Sequence, residues 1–186
     1  MGIPVAIRLW VLGVVAVILQ LTAVSQVTLL GVTADLTPLI IMAVGLLAGS
    51  VAGACMGFGM GLFVDMALLQ TLGVESLIGV AVGYGAGRLR EMRDPAHTLV
   101  PVAAGAAATA IWTVGFSVMQ FLLGVDAPVS FLLARDILAT IVVNAVLALP
   151  VYALVRRTVE PYLPDDPRRR RRRAYTTGGL SPISRA

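Results

Sequence analysis

The sequence predicts an all-α membrane protein, a bundle of six transmembrane helices with both termini in the cytoplasm. Of the 186 residues, 58% are hydrophobic and only 13% are charged, which is more apolar surface than a soluble domain of this size needs. Six apolar stretches alternate with short polar or charged segments. A six-span arrangement also places all but one of the 14 basic residues on one side of the membrane.

Residues 7–27 form the first apolar stretch, and its length is sufficient to span a bilayer. A cleaved signal peptide is the alternative, but the stretch is longer than the apolar region of such peptides. Gln20 lies inside it and is expected to form an interhelical hydrogen bond. Residues 28–37 are a short link, at whose end Thr37 is predicted to cap the second helix.

The second and third spans are predicted at residues 38–48 and 51–68, with a tight turn near Gly49 and Ser50. Joined together, these residues would be too long for one span, since about 20 residues cross a bilayer. A single fused helix would also place the arginines of the charged loop predicted at residues 88–97 and those of the carboxyl-terminal tail on opposite sides of the membrane.

The remaining spans are predicted at residues 76–87, 98–124 and 131–155. The first of these is short, so it can begin nearer Leu72 and include Glu75. The membrane domain therefore covers residues 1–157, and the remainder, 158–186, is predicted to be a disordered basic cytoplasmic tail.

Glycine recurs at every fourth position of the third span, and the charged residue Asp65 takes the next place in the series. The glycines of this ladder are Gly49, Gly53, Gly57 and Gly61. A second ladder in the fourth span consists of Gly79, Gly83 and Gly87. Each interior glycine would cost a helix in water about 0.5–1 kcal/mol relative to alanine, whereas in lipid small residues let helices pack closely. The two ladders therefore predict that the third and fourth spans pack against each other.

Arg135 is the exception to the one-sided distribution of basic residues. In the six-span arrangement it lies at a depth similar to that of Asp65, and a charge there is expected to be paired. We therefore predict that Asp65 lies near Arg135, with Asp136 as the rival acid. Such a pair would hold helices together, or would take part in partner docking or ligand binding.

Six consecutive arginines follow the last span, and they are Arg168, Arg169, Arg170, Arg171, Arg172 and Arg173. Beside a membrane, each is expected to contribute about 1 kcal/mol to binding of anionic lipid. The run could instead dock a cytoplasmic partner or only fix the topology. Nucleic acid is not expected as its ligand, because the tail is tethered to a membrane.

Other chemistry is not expected from this sequence. The single cysteine, Cys55, cannot form an internal disulfide, and one histidine with one cysteine makes no metal-ligand cluster. Motifs for nucleotide cofactors and hydrolases are absent from the sequence. Asp65 has no second acid or histidine within a span, which is too little for acid–base catalysis. We therefore expect neither an enzyme nor a cofactor.

The run Gly57-Phe58-x-x-Gly61-Leu62-x-x-Asp65 resembles the GF-x-x-GL-x-x-D signature of the rod shape-determining protein MreD family. Four other features of the sequence agree with that family in order: Gln20 in an LQ pair, Asp35-Leu36 in a PDL motif with Ala34 in place of proline, Gly73, and Gly83-Tyr84.

This resemblance implies a multi-pass protein of the bacterial inner membrane that acts in cell shape and peptidoglycan synthesis. Its implied partners are MreC and, through MreC, MreB, the RodA glycosyltransferase and a class B penicillin-binding protein. The implied role is that of a non-enzymatic scaffold of the cell-elongation complex.

The alternative function is that of a small-molecule-binding subunit. MreD-like chains are similar in span number and glycine content to the substrate-binding components of energy-coupling-factor vitamin transporters. A ligand site would then lie where Asp65, Glu75, Arg135 and Asp136 converge. The first span, however, lacks the AxxxA coupling face of those components.

Overall fold

The computed structural model describes residues 3–22, 28–29, 32–92, 99–124 and 131–159. These residues form six helices and one short hairpin of two antiparallel strands. In chain order the elements are α1 (Ile3–Thr22), β1 (Thr28–Leu29), β2 (Val32–Thr33), α2 (Leu36–Ala48), α3 (Ser50–Ala67), α4 (Val74–Met92), α5 (Leu99–Leu122) and α6 (Phe131–Val159). The predicted helical class is thus confirmed.

Three segments are long and apolar enough to cross a membrane by length and composition: Ser50–Ala67, Leu99–Leu122 and Leu133–Val159. The described chain has the predicted number of helices, while a span for each of them stays a prediction. The predicted tail, including its six arginines, lies outside the described residues except for the end of α6.

The helix α2 lies at the centre of the bundle and contacts all five other helices. Every residue from Thr37 to Leu47 is buried. With 13 residues, α2 is about 20 Å long, which is shorter than the roughly 30 Å of a hydrocarbon core. The chain enters α2 from the β1–β2 hairpin, in which Thr28 pairs with Thr33 and Leu29 with Val32. The second predicted span is therefore a short helix that follows an extended segment.

The break between α2 and α3 falls at the predicted place. Gly49 alone separates the two helices, and its φ of +98° lies in the region that favours glycine. Its N–H donates to the Gly45 carbonyl oxygen at 2.9 Å, so the turn leaves that group paired. Arg90 on α4 donates to the Leu47 carbonyl oxygen at 2.7 Å and satisfies one of the free carbonyls at the end of α2.

The two glycine ladders form the α3–α4 interface, the most extensive helix contact in the described structure. A Cβ on Gly57 would overlap the Gly79 carbonyl group, and a Cβ on Gly83 would overlap that of Gly53. Gly87 likewise lies against the Ser50 backbone. The two backbones touch directly, as close packing between membrane helices requires. The predicted pairing of these helices is confirmed.

The first helix packs on α3 through a glycine outside the ladder. A Cβ on Gly59 would overlap the indole ring of Trp10, which therefore fills the notch that this glycine leaves. One turn further along α1, Gly13 lies against Met56. Most of the other described side chains of α1 point away from the bundle.

Helix α4 is longer than predicted at both ends. It contains Glu75, as the longer alternative allowed, and it also contains Arg88 and Arg90, which were assigned to a loop. The charged end is stabilised locally, because Arg88 forms a salt bridge with Glu91 one turn later and lies over the Tyr84 ring. Such pairs allow a helix to continue past the apolar residues by which its span was predicted.

Candidate functional site

The polar residues buried between helices gather at one end of the bundle. We call this the acidic end: α2 and α4 begin there, and the carboxyl groups of Asp35, Asp65 and Glu75 lie there. At the opposite end, which we call the arginine end, α4 and α6 finish in basic residues. The acidic end is the candidate functional site, because buried polar groups in an apolar bundle need a specific structural or chemical reason.

Asp65 caps the start of α4 from the end of α3. It is fully buried, and its Oδ2 accepts a hydrogen bond from the Gly73 N–H at 2.8 Å. Its Oδ1 accepts from the Glu75 N–H at 3.3 Å. Gly73 has a φ of +97°, which favours glycine at the position just before the helix. Asp65 thus satisfies free N–H groups and places its negative charge at the positive end of the α4 dipole.

The predicted contact between Asp65 and Arg135 is not found. Arg135 and Asp136 are both exposed on α6, whereas Asp65 is enclosed between α3 and α4. The physical reason is that the N–H groups at the start of α4 provide two hydrogen bonds and a favourable dipole. Asp65 therefore needs no arginine, and the structure does not assemble these three residues into one site.

Gln20 and Asn144 hold the extended segment that leads into α2. The Gln20 amide donates to the Ala34 carbonyl oxygen and accepts from the Leu36 N–H, both at 3.0 Å. From α6, the Asn144 amide accepts from the Asp35 N–H at 3.2 Å and donates to the Asp35 carbonyl oxygen at 2.9 Å. Non-helical backbone inside a membrane protein needs such partners, because no water is available there. Gln20 on α1 thus forms an interhelical hydrogen bond, as expected, with the first residue of α2, and it also bonds to the extended segment.

Asp35, and not Thr37, caps α2. The Asp35 Oδ1 accepts a hydrogen bond from the Thr37 N–H at 3.0 Å, and α2 begins one residue after Asp35. Aspartate is one of the best capping residues, so this cap could have been predicted from the order Asp-Leu-Thr-Pro.

Thr109 completes the network and was not predicted. It is fully buried, accepts from the Asn144 amide at 3.1 Å and donates to the Gly105 carbonyl oxygen at 2.9 Å. A threonine within an alanine-rich helix gives little signal in the sequence, because threonine hydroxyls commonly bond to the preceding turn of their own helix. An asparagine in the middle of an apolar stretch was the stronger signal for this network.

Asn144→Leu is expected to lower the free energy of unfolding by about 2–4 kcal/mol, because it leaves the buried N–H and carbonyl of Asp35 without partners. Denaturant titration of the purified protein in detergent measures this change. Thr140→Val is the matched control on the same helix, since the Thr140 hydroxyl bonds only to the Asp136 carbonyl oxygen of its own helix. Equal stability of the two variants would contradict the proposed role of Asn144.

The fold and the acidic end define an integral membrane protein in which buried polar side chains cap helices and hold an extended segment. The family model of the rod shape-determining protein MreD matches residues 4–158, which include nearly all of the six described helices. The chain therefore belongs to the MreD family and is a rod-shape-determining membrane protein. That family is part of the MreBCD shape complex.

A search of curated proteins and of solved structures finds no match to this chain. The architectural similarity to substrate-binding components of vitamin transporters therefore stays a prediction.

The signature residues of the family divide into two groups in this structure. Most of them build the fold: Gly57 and Gly61 lie in the α3–α4 interface, and Asp65 caps α4. Leu62 is partly buried, whereas Phe58 is 54% exposed. Packing within the described bundle therefore does not account for the Phe58 side chain.

Proposed function

We propose that this protein is a non-enzymatic scaffold of the bacterial cell-elongation complex, and that it binds MreC directly and the wall synthases through it. Membership of the MreD family is the observation on which this proposal rests. The buried polar groups support it as well, since Asp65, Gln20 and Asn144 are each engaged in holding backbone. Side chains used in this way serve the architecture of the bundle and are not available for catalysis.

The proposed MreC-binding surface is the side of the α3–α4 pair that points away from α2. Its aromatic side chains are Phe58 and Tyr84, which are 54% and 48% exposed. Cys55, Ala81 and Gly85 are exposed small residues on the same two helices. On such a surface, a helix of a partner protein can pack against the large aromatic side chains and can approach closely at the small residues.

Co-purification from detergent tests this surface. Phe58→Ala combined with Tyr84→Ala is expected to reduce the recovery of MreC at least tenfold while the protein stays in the membrane. Val146→Ala on α6, which also changes an exposed apolar residue, serves as the control. Unchanged recovery with the double variant would exclude this surface, and normal rod shape after deletion of the protein would contradict the scaffold function itself.

We further infer six spans in the inner membrane, with the arginine end and both termini in the cytoplasm. Support comes from the alternating directions of the helices and from Arg88, Arg90, Arg156 and Arg157, which all belong to the arginine end. Exposed apolar side chains on α1, α5 and α6 fit contact with lipid.

The arginine run of the tail is proposed to bind anionic lipid. Replacing all six arginines with serine is expected to leave rod shape largely intact, because lipid attraction adds little to a protein that already spans the membrane. The control replaces them with lysine and keeps the charge. Loss of rod shape in the serine variant at normal membrane levels would instead indicate a cytoplasmic protein partner.

A further inference from the structure

The loop between α3 and α4, residues 68–73, exposes three leucines and carries no charged side chain. Leu68, Leu69 and Leu72 are 45%, 93% and 65% exposed. Leu69 also has a φ of +52°, the one left-handed conformation of a residue other than glycine in the described ranges. Exposed apolar side chains on a strained backbone are unfavourable in water, so this loop needs surroundings of another kind.

The backbone of the loop forms its hydrogen bonds within the protein. The N–H groups of Leu68, Leu69 and Gln70 donate to carbonyl oxygens of α3 at 2.9, 3.4 and 3.0 Å. The Gly73 N–H donates to the Asp65 side chain at 2.8 Å. A chain segment inside lipid has to pair its polar groups in this way, because no water is available there. Backbone and side chains of the loop therefore both suit an apolar environment.

Helix α6 indicates where the two surfaces of the bilayer lie. Its charged residues are confined to two places, Arg135 with Asp136 and Arg156 with Arg157. At 1.5 Å per residue, the helix rises about 30 Å from Asp136 to Arg156, which equals the thickness of a hydrocarbon core. In the six-span arrangement proposed above, on which this inference rests, the first place marks the outer surface and the second the cytoplasmic surface.

Helices α3 and α4 are too short to cross the same distance. From Arg88, the first arginine of α4, to Val74 at its start, the helix rises only about 21 Å. Helix α3 begins at the arginine end, where the Ser50 hydroxyl bonds to Glu91 at 3.4 Å. With 18 residues it is about 27 Å long. The loop that joins these helices therefore lies roughly 3–9 Å below the outer surface of a 30 Å core.

We propose that the loop of residues 68–73 is embedded in the outer leaflet, where its leucines bind phospholipid acyl chains and the bilayer is locally thinner than beside α6. Lipids next to a short apolar element adjust by thinning, so that headgroups approach the loop from above. The surface is distinct from the proposed MreC-binding surface, because it lies at the end of the α3–α4 pair and not along its side.

Depth-dependent fluorescence quenching of the full-length protein in dioleoylphosphatidylcholine vesicles tests the position of the loop. Cys55, the single cysteine, is first replaced with alanine. Leu69→Cys then carries an NBD label, and Asp136→Cys is the matched control, because Asp136 is exposed on α6 at the outer surface. The quenchers are a phospholipid with a doxyl group in the middle of its acyl chain and, in the water, iodide.

The ratio of doxyl to iodide quenching is expected to be at least threefold higher at Leu69 than at Asp136. Equal ratios would overturn the proposal. Since the vesicles contain no other protein, strong iodide quenching at Leu69 would instead mean that the leucines are covered by a protein partner. Should Leu69→Cys fail to fold, Leu72→Cys provides the second measurement, for which the same high ratio is expected.

The six-span arrangement can fail separately from the depth of the loop. Quenching depends on the distance from the nearer surface, so the ratios do not depend on the direction in which the protein is inserted. A membrane-impermeant maleimide applied to spheroplasts is expected to label Asp136→Cys from outside. Absence of that labelling would contradict the arrangement, while a high ratio at Leu69 would still place the loop within the bilayer.

Discussion

Gly57→Ala is expected to lower the free energy of unfolding by about 3 kcal/mol or more, with a fall in Tm of roughly 6–12 °C. The added Cβ would overlap the Gly79 carbonyl group, which belongs to the opposing backbone. A flexible side chain can turn away from such an overlap, but here one whole helix has to move. The separation of α3 and α4 would then loosen the contacts of both helices with α2. Thermal unfolding in detergent measures the effect.

Gly85→Ala is the control for this prediction. Gly85 lies on α4, two residues from the ladder glycine Gly83, and nothing lies within 4 Å of a Cβ added to it. This variant is expected to be as stable as the wild-type protein, or slightly more stable because alanine favours helix. A similar loss of stability in Gly57→Ala and Gly85→Ala would mean that glycine acts through chain flexibility and not through close packing.

Asp65→Leu is expected to destabilise the protein by about 2–5 kcal/mol, because it removes the acceptor from the buried N–H groups of Gly73 and Glu75. Asp65→Asn should lower the free energy of unfolding by a smaller amount, since an amide oxygen can still accept one of the two hydrogen bonds. Denaturant titration of both variants in detergent gives the two values, and their order tests the capping role.

Denaturant titration also distinguishes the capping role of Asp65 from the ion pair with Arg135 that the sequence suggested. The structure predicts that Arg135→Leu changes stability by less than about 0.5 kcal/mol, since Arg135 is exposed on α6. The effects of Asp65→Leu and Arg135→Leu should also add in the double variant. A large loss from Arg135→Leu, or a strong coupling between the two changes, would restore the ion pair.

Features that depend on local sequence could be predicted well. The spacing of the glycines fixed which faces of α3 and α4 meet, because only residues without a Cβ allow two backbones to touch. The tight turn near Gly49 followed from length and from the distribution of the arginines, since α2 and α3 together exceed one span and a fused helix would divide the arginines between the two sides of the membrane. Family membership followed from the same stretch, whose glycines and aspartate the structure uses for packing and capping.

Features that depend on competition between partners could not be predicted. Asp65 could form an ion pair with an arginine or accept hydrogen bonds from the free N–H groups of α4. Charge alone favours the arginine. The hydrogen bonds from Asn144 to Asp35 join residues 109 positions apart, and no pattern in the sequence relates them. Whether a polar side chain bonds its own helix, another helix or an extended segment is decided by the packed structure.

The hydrogen bonds of Asn144 also constrain the order in which this protein is made. Synthesis proceeds from the amino terminus, so α1 to α5 are complete before the ribosome reaches α6. Until α6 is made, the N–H and carbonyl groups of Asp35 lack the Asn144 amide with which they form hydrogen bonds. The start of the central helix therefore reaches its final arrangement only after the last helix has entered the membrane. Assembly of this bundle is completed after translation of α6, and any protein that recognises the finished acidic end distinguishes complete chains from nascent ones.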